Sequence, residues 1–318
     1  MEFNSMEMTL YENMLLDVHS YIDSLAMPLR SFCYDYVNKL SHRKIVKTLS
    51  LLPYFFHDLM PVDKSILHAL ITAQFYTCWY YHVQDELLDE QTSATAILGG
   101  HLALLKNVAI YDDLGITVAP AWQAMQALMQ TSAEAYAIEM ENRFQSIQEL
   151  AMTNLEPFTL EFAGNRLIVF QLSTVAQGHL ADLSHDSTLT QHAMQALRLY
   201  LTTRQIGDDA GDWLEDLQVG QLNYANALLL TRFYNYYQEP FDIDRLAGYQ
   251  LSDETFWQQI EETMETLIQQ SLACLAPHGK MRFQTRLIEP LLTTSKITWQ
   301  NLRDNRAGLQ QLFGISKE

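Results

Sequence analysis

Apolar residues recur at helical spacing along nearly the whole chain, and no stretch shows the strict alternation of a half-buried strand. The pattern predicts helices over roughly 7–25, 29–50, 63–90, 93–111, 120–150, 156–183, 187–218, 225–237, 253–275, 280–294 and 296–313. The breaks between them are chemically sensible. Pro28 and Pro53 stop or restart helices, and Asp63 stands where an N-cap would open the third long one. Gly115 and Pro120 bracket a loop, and Ser184-His185-Asp186-Ser187 reads as a polar turn. Pro240 and the Pro277-His278-Gly279 run separate the last helices. With no repeat, linker or composition shift along 1–318, the chain reads as one all-α domain, a helical bundle of about ten helices.

Composition supports this and narrows the partners. Twelve glycines and eight prolines in 318 residues are about half the average usage, too few for turn-rich propellers or sandwiches. A 48% hydrophobic content can fill a large core and excludes wholesale disorder. Thirty-eight acidic against 20 basic side chains leave a formal charge of −18. So acidic a surface repels nucleic-acid phosphates and anionic lipid, so neither is an expected partner. An anionic small-molecule substrate would need metals or a local cluster of Arg and Lys. Cys33, Cys78 and Cys274 have no metal or redox spacing and read as reduced core thiols of a cytoplasmic protein. Met1–Leu16 lacks the basic start of a signal peptide, and no apolar run approaches the ~18 residues of a membrane span.

Two segments carry candidate chemistry. In the first, Tyr80 to Glu90, Asp85 and Asp89 stand one turn apart on one helical face, behind the aromatic run Phe75, Tyr76, Trp79, Tyr80 and Tyr81. In the second, Arg204 to Asp216, Asp208, Asp212 and Asp216 step by four, while Leu199, Ile206 and Trp213 step by seven on a packing face. A solvated acidic face is the plain explanation for one such cluster. Two of them, both following apolar helix stretches and nearly without basic neighbours at i±4, suit Mg²⁺, a hard ion bound by one or two carboxylates with water and substrate phosphate. Such metals would supply the positive field that an anionic diphosphate needs.

The two segments resemble the aspartate-rich motifs of the class I isoprenoid synthases, the all-helical family of trans-prenyltransferases, squalene/phytoene synthases and class I terpene cyclases. Asp85-Glu86-Leu87-Leu88-Asp89 is similar to DDxxD, with Glu at its second position. Gln205-x-x-Asp208-Asp209-x-x-Asp212 is similar to the QxxDDxxD of chain-elongating enzymes, and Asp212-x-x-Glu215-Asp216 to the DxxED of squalene/phytoene synthases. Asp208, Asp212 and Asp216 also have the spacing of the cyclase metal triad. The resemblance covers about 60 to 225. It implies Mg²⁺, three ions in all, held by Asp85, Glu86 and Asp89 on one side and by Asp208, Asp209, Asp212 and Asp216 on the other. It gives Arg166, 42 residues before Asp208, the role of diphosphate sensor. Arg204 is a further candidate for phosphate. Tyr81 and His82 share the helical face of Asp85 and Asp89 and are the candidates for stabilising a carbocation, with Trp79 assigned to the core. Arg303 is a weaker C-terminal candidate.

Departures from the motifs sort the sub-families. Asp89 is followed by Glu90-Gln91-Thr92-Ser93 where chain-elongating enzymes carry an Arg pair, and Gly211 stands where squalene/phytoene synthases carry Arg. His42-Arg43-Lys44 lacks the glycine of the isopentenyl diphosphate element. A site so poor in cations implies one diphosphate rather than two. The expected function is therefore a Mg²⁺-dependent class I terpene synthase, a lyase that ionises one allylic prenyl diphosphate and cyclises or deprotonates the cation. The alternative is a squalene/phytoene synthase-like or other prenyltransferase condensing two prenyl diphosphates. A homodimer is left open.

Overall fold

A computed structural model describes residues 2–89, 95–184, 187–237 and 243–312. These residues form α1 (Ser5–Asp23), α2 (Leu29–His42), α3 (Lys44–Ser50), α4 (Leu52–Phe55), α5 (Lys64–Leu88) and α6 (Ala96–Asp113). They continue with α7 (Pro120–Glu141), α8 (Ile147–Leu150), α9 (Leu160–Arg166), α10 (Leu172–Leu180) and α11 (Thr188–Gln218). The last elements are α12 (Tyr224–Tyr237), α13 (Ile243–Ser252), α14 (Glu254–Leu275) and α15 (Glu289–Leu312). Among the described residues there is no strand, so the all-α expectation is met. No described helix is long and apolar enough to cross a membrane.

Where the boundaries differ from the sequence reading, local chemistry explains the difference. α1 starts earlier because Asn4 and Glu7 form a capping box, each side chain accepting the other's backbone N–H at 2.9 Å. Asp63 occupies the N-cap position of α5 but its side chain makes no capping hydrogen bond. The 29–50 stretch breaks at Arg43, whose backbone is extended. The 156–183 stretch resolves into α9, a 3₁₀ turn over Ile168–Gln171 and α10. The stretches 280–294 and 296–313 join, with a π-turn over Gln284–Ile288 leading into the single helix α15. α13 lies in a segment read as loop. The turn at His185-Asp186, Pro240 and Glu90 lie outside the described residues.

The chain divides into two compact units. The first comprises 1–129, 169–194 and 275–286. Its axis is α5, buried on nearly every side from Leu67 to Val83, which is why its sequence is apolar almost all round. α6 packs along it closely because Gly99 and Gly100 lie in the contact: a Cβ at Gly100 would come within 3.0 Å of Val83. Asn107 locks the pair by donating to the Ala73 carbonyl (2.7 Å) and to Thr77 Oγ1 (3.0 Å). Tyr36, Trp79 and Tyr76 stack in series across α2 and α5, at centroid distances of 6.3 and 6.0 Å.

The second unit comprises 130–168, 195–274 and 287–318. Leu199, Ile206, Trp213 and Leu217 of α11 are buried with Leu229, Leu230 and Phe233 of α12 and Phe256, Ile260 and Met264 of α14. The stripe stepping by seven on α11 is thus the packing face the sequence predicts. Gly220 ends that helix at φ +81°, where a Cβ would strike the Phe144 carbonyl oxygen, so only glycine fits. Its own carbonyl accepts from Phe144 N at 3.1 Å, and the turn leads directly into α12 beside the acidic face.

Candidate functional site

The first acidic segment is the C-terminal end of α5 in the first unit. The buried helix runs outward until Asp85, Glu86 and Asp89 are half-buried. Glu86, which replaces the second Asp of DDxxD, accepts from Tyr36 OH at 3.1 Å and from Arg43 Nη2 at 2.8 Å. The longer side chain reaches both partners, and Arg43 neutralises it. Nothing in local spacing signals this pair, because Arg43 is 43 residues away in sequence.

One turn earlier, Trp79 is fully buried in its aromatic stack and is core, as expected. Tyr81 is buried, with its ring edge-on to Tyr80 and Phe170. Burial holds its phenol protonated far above the usual tyrosine range. His82 places Nδ1 3.0 Å from the Cys78 carbonyl oxygen, so Nδ1–H donates and Nε2 carries the lone pair. Burial, and secondarily the charge of Arg43, push its pKa down to about 4. His82 is therefore a neutral imidazole at physiological pH, with an acceptor nitrogen to offer.

The second segment lies on α11 in the second unit, and the structure sorts its carboxylates by depth. Asp208 and Asp212 are exposed, Asp216 is half-buried and Asp209 is buried. Asp209 Oδ1 accepts from Gln205 Nε2 at 2.7 Å and its Oδ2 from Tyr224 N at 3.1 Å. Burial raises its pKa to about 7, although Arg166 and both hydrogen bonds oppose the shift. Asp216 Oδ2 accepts from Asn223 Nδ2 at 2.7 Å. Asn223, placed by the turn at Gly220, is a site neighbour that sequence reasoning did not single out. Within this unit Gln205 and Tyr224 thus hold Asp209 and Asn223 holds Asp216, while the charges of Arg166 and Asp216 act on the Asp209 carboxyl in opposite senses.

Arg166 ends α9 with Nε 3.2 Å from Glu139 Oε2, and its guanidinium lies 5.4 Å from the Tyr136 ring centre. Glu161, the pairing partner that sequence proximity suggests, instead faces Arg198 at 3.7 Å. Arg204 is exposed, and with Asp208 it lines a cavity of about 460 Å³ within this unit. Arg303 is held by Glu261 of α14 and by Gln300 at 3.3 Å, as expected of a surface helix charge.

The donor set is all carboxylate oxygen, the chemistry of a hard divalent cation. Among the described residues no three His, Cys, Asp or Glu side chains converge as a ready-made metal cage.

No family model matches the sequence, and no curated protein matches it. The fold is similar to that of a geranylgeranyl pyrophosphate synthetase from the archaeon Geoglobus acetivorans, with a TM-score of 0.62 and 15% identity, over 91% of this chain and 99% of that one. A farnesyl diphosphate synthase of T. brucei aligns with a TM-score of 0.47 and 13% identity, over 93% of this chain and 97% of that one. The chain has the all-α fold of the class I isoprenoid synthases.

Proposed function

We propose that this protein is a Mg²⁺-dependent prenyltransferase that joins prenyl diphosphate substrates with release of diphosphate. The observation that carries the reading is the pairing of fold and motif. The chain shares its fold, nearly end to end, with a protein named as a geranylgeranyl pyrophosphate synthetase, and it bears both aspartate-rich segments on long helices. The likeness favours a prenyltransferase over the terpene synthase that the cation-poor sequence suggests.

In this reading Asp85 and Asp89 in one unit, and Asp208, Asp212 and Asp216 in the other, present carboxylates to Mg²⁺. Bound Mg²⁺ supplies charge neutralisation and Lewis acidity at the departing diphosphate. Glu86, fixed by Tyr36 and Arg43, orients the end of α5. Asp209, whose oxygens already hold Gln205 and Tyr224, anchors α11 at its deepest point and offers only its remaining lone pairs to a metal. Arg166, oriented by Glu139, and Arg204 recognise phosphate oxygens. Tyr81 and the neutral His82 face developing positive charge with a ring and a lone pair, and neither adds a competing cation.

A second reading, a lyase acting on one allylic diphosphate, rests on Glu90-Gln91-Thr92-Ser93 after Asp89, where an Arg pair would serve a second diphosphate. Incubation of purified protein with Mg²⁺ and C10, C15 or C20 allylic diphosphates, with and without isopentenyl diphosphate, separates the two. Mass spectrometry should show longer or head-to-head condensed products. A hydrocarbon or alcohol of unchanged carbon number establishes the lyase reading, and absence of turnover in every mixture rejects both.

A further inference from the structure

In the second unit, one face of α7 receives the end of α9. Ser132, Tyr136 and Glu139 stand on successive turns of α7, and all three reach Arg166. Ser132 Oγ donates to the Arg166 carbonyl at 3.1 Å, the Tyr136 ring centre lies 5.4 Å from the guanidinium carbon, and Glu139 Oε2 lies 3.2 Å from Nε. Backbone, guanidinium face and Nε are each met by α7, so the side chain is held in one direction.

A second guanidinium meets the same carboxylate. Arg143, one turn beyond Glu139, places Nη2 3.3 Å from Oε1. The backbone fixes it there: the next residue, Phe144, donates its N–H to the Gly220 carbonyl at 3.1 Å, in the turn that follows α11. The chain has 20 basic side chains against 38 acidic ones, and two of those 20 converge on one buried carboxylate. One guanidinium would neutralise Glu139. A one-to-one buried pair presents no net charge to a phosphate, and drawing its arginine toward one would strand the carboxylate. With two, the three side chains carry two cations and one anion. The charge of Arg166 is also felt on α11, where burial raises the Asp209 pKa and Arg166 opposes the shift.

We infer that Arg143 is a positioning residue for diphosphate recognition: by neutralising Glu139 it leaves the charge of Arg166 to the phosphate oxygens of the substrate. Arg143 acts through Glu139 and not by touching the substrate. Glu139 then serves both arginines, orienting the first and anchored by the second.

The inference rests on the prenyl diphosphate reading and on the part of Arg166 in it, but the two can fail separately. The test is calorimetric titration of the purified protein with inorganic diphosphate at constant Mg²⁺, beside turnover of prenyl diphosphates, with urea unfolding to check that each variant folds. Arg143→Gln strands no charge, because Arg166 remains on Glu139. It should bind diphosphate at least about tenfold more weakly than the wild type and show a raised KM with a smaller change in kcat. Arg143→Lys, which keeps a cation one turn from Glu139, should stay within about threefold of the wild type. The double variant Glu139→Gln/Arg143→Gln removes the carboxylate that holds the Arg166 charge, and should return affinity to within about threefold of the wild type. A merely structural Arg143 gives no such rescue. Unchanged affinity in Arg143→Gln overturns the inference, and so does a double variant as weak as Arg143→Gln, which would put Arg143 itself on the phosphate. No diphosphate binding by the wild type overturns it as well, whatever the turnover. Wild-type protein that turns over no prenyl diphosphate, while the variants lose and regain diphosphate binding as described, overturns the functional reading and leaves the arginine pair as an anion site.

Discussion

Arg166 and Glu139 form a buried ion pair: Nε lies 3.2 Å from Oε2, with side-chain exposures of 15% and 3%. Removing one member of such a pair strands the other charge. Arg143, whose Nη2 is 3.3 Å from Glu139 Oε1, still neutralises part of it. Arg166→Met should therefore cost about 3 kcal/mol, the lower end for a broken buried pair, measured by urea unfolding. Arg166→Lys keeps a charge but not the two-pronged donor geometry. It should fold and show a raised KM for the diphosphate substrate with a smaller change in kcat. An unchanged KM in a folded Arg166→Lys protein would remove Arg166 from phosphate recognition.

Asp209 makes a pH signature in the opposite sense from most carboxylates. Its folded pKa, raised to about 7 by burial, lies above the ordinary carboxylate value. The folded state then binds the proton more tightly than the unfolded state. The contribution to stability is fully present below about pH 4 and is lost as pH rises toward about 7. Arg166 and Asp216 are the charged groups that act on it, the first lowering and the second raising its pKa. Asp209→Asn, with Gln205 rotated to accept from the new amide, should lack this loss. Urea unfolding at pH 5 and pH 8 with chelator present checks it: the wild type should lose more stability across that interval than the variant, and equal losses would exclude a raised pKa.

The long helices were legible in the sequence because each offers many turns of consistent pattern. α5 and α11 stand within two residues of their expected ends, and the core face of α11 is the one its seven-residue stripe predicts. The short elements were not. The break at Arg43 and the 3₁₀ turn at Ile168 depend on tertiary packing that overrides local period. The motifs identified which carboxylates matter but not how they differ. Asp208 and Asp209 are neighbours in sequence, yet one is exposed and one buried, because successive helical residues point 100° apart. The partners Arg43 for Glu86, Glu139 for Arg166 and Asn223 for Asp216 sit on other elements, and no spacing rule reaches them.

Restoring the consensus at the first motif should weaken the protein. Glu86→Asp recreates Asp-Asp-Leu-Leu-Asp but shortens the side chain by one methylene. It can no longer reach both Tyr36 and Arg43. Loss of a hydrogen bond to a charged acceptor is worth about 1.5 kcal/mol, and the half-exposed Arg43 contributes less than 1 kcal/mol. Thermal or urea unfolding should show a loss of about 1–2 kcal/mol, with Tyr36→Phe accounting for most of it. A more stable Glu86→Asp protein would show that the Glu86 contacts do not hold α5.

His82 gives the last pH test. Its pKa of about 4 in the folded protein lies below the ordinary value near 6.5, so folding favours the neutral ring. The contribution is present above about pH 6.5 and is lost as pH falls toward about 4, because protonation then favours the unfolded chain. This runs against the Asp209 effect in the same interval, so the wild-type pH profile alone separates neither; each requires its own variant. His82→Asn retains a donor for the Cys78 carbonyl and has no charge to gain. Between pH 7 and pH 5 the wild type should lose stability relative to His82→Asn. The ¹⁵N shifts of the His82 ring should keep the Nδ1–H neutral form down to pH 5. An imidazolium signal at pH 6 would show that the ring is charged where the proposed chemistry needs it neutral.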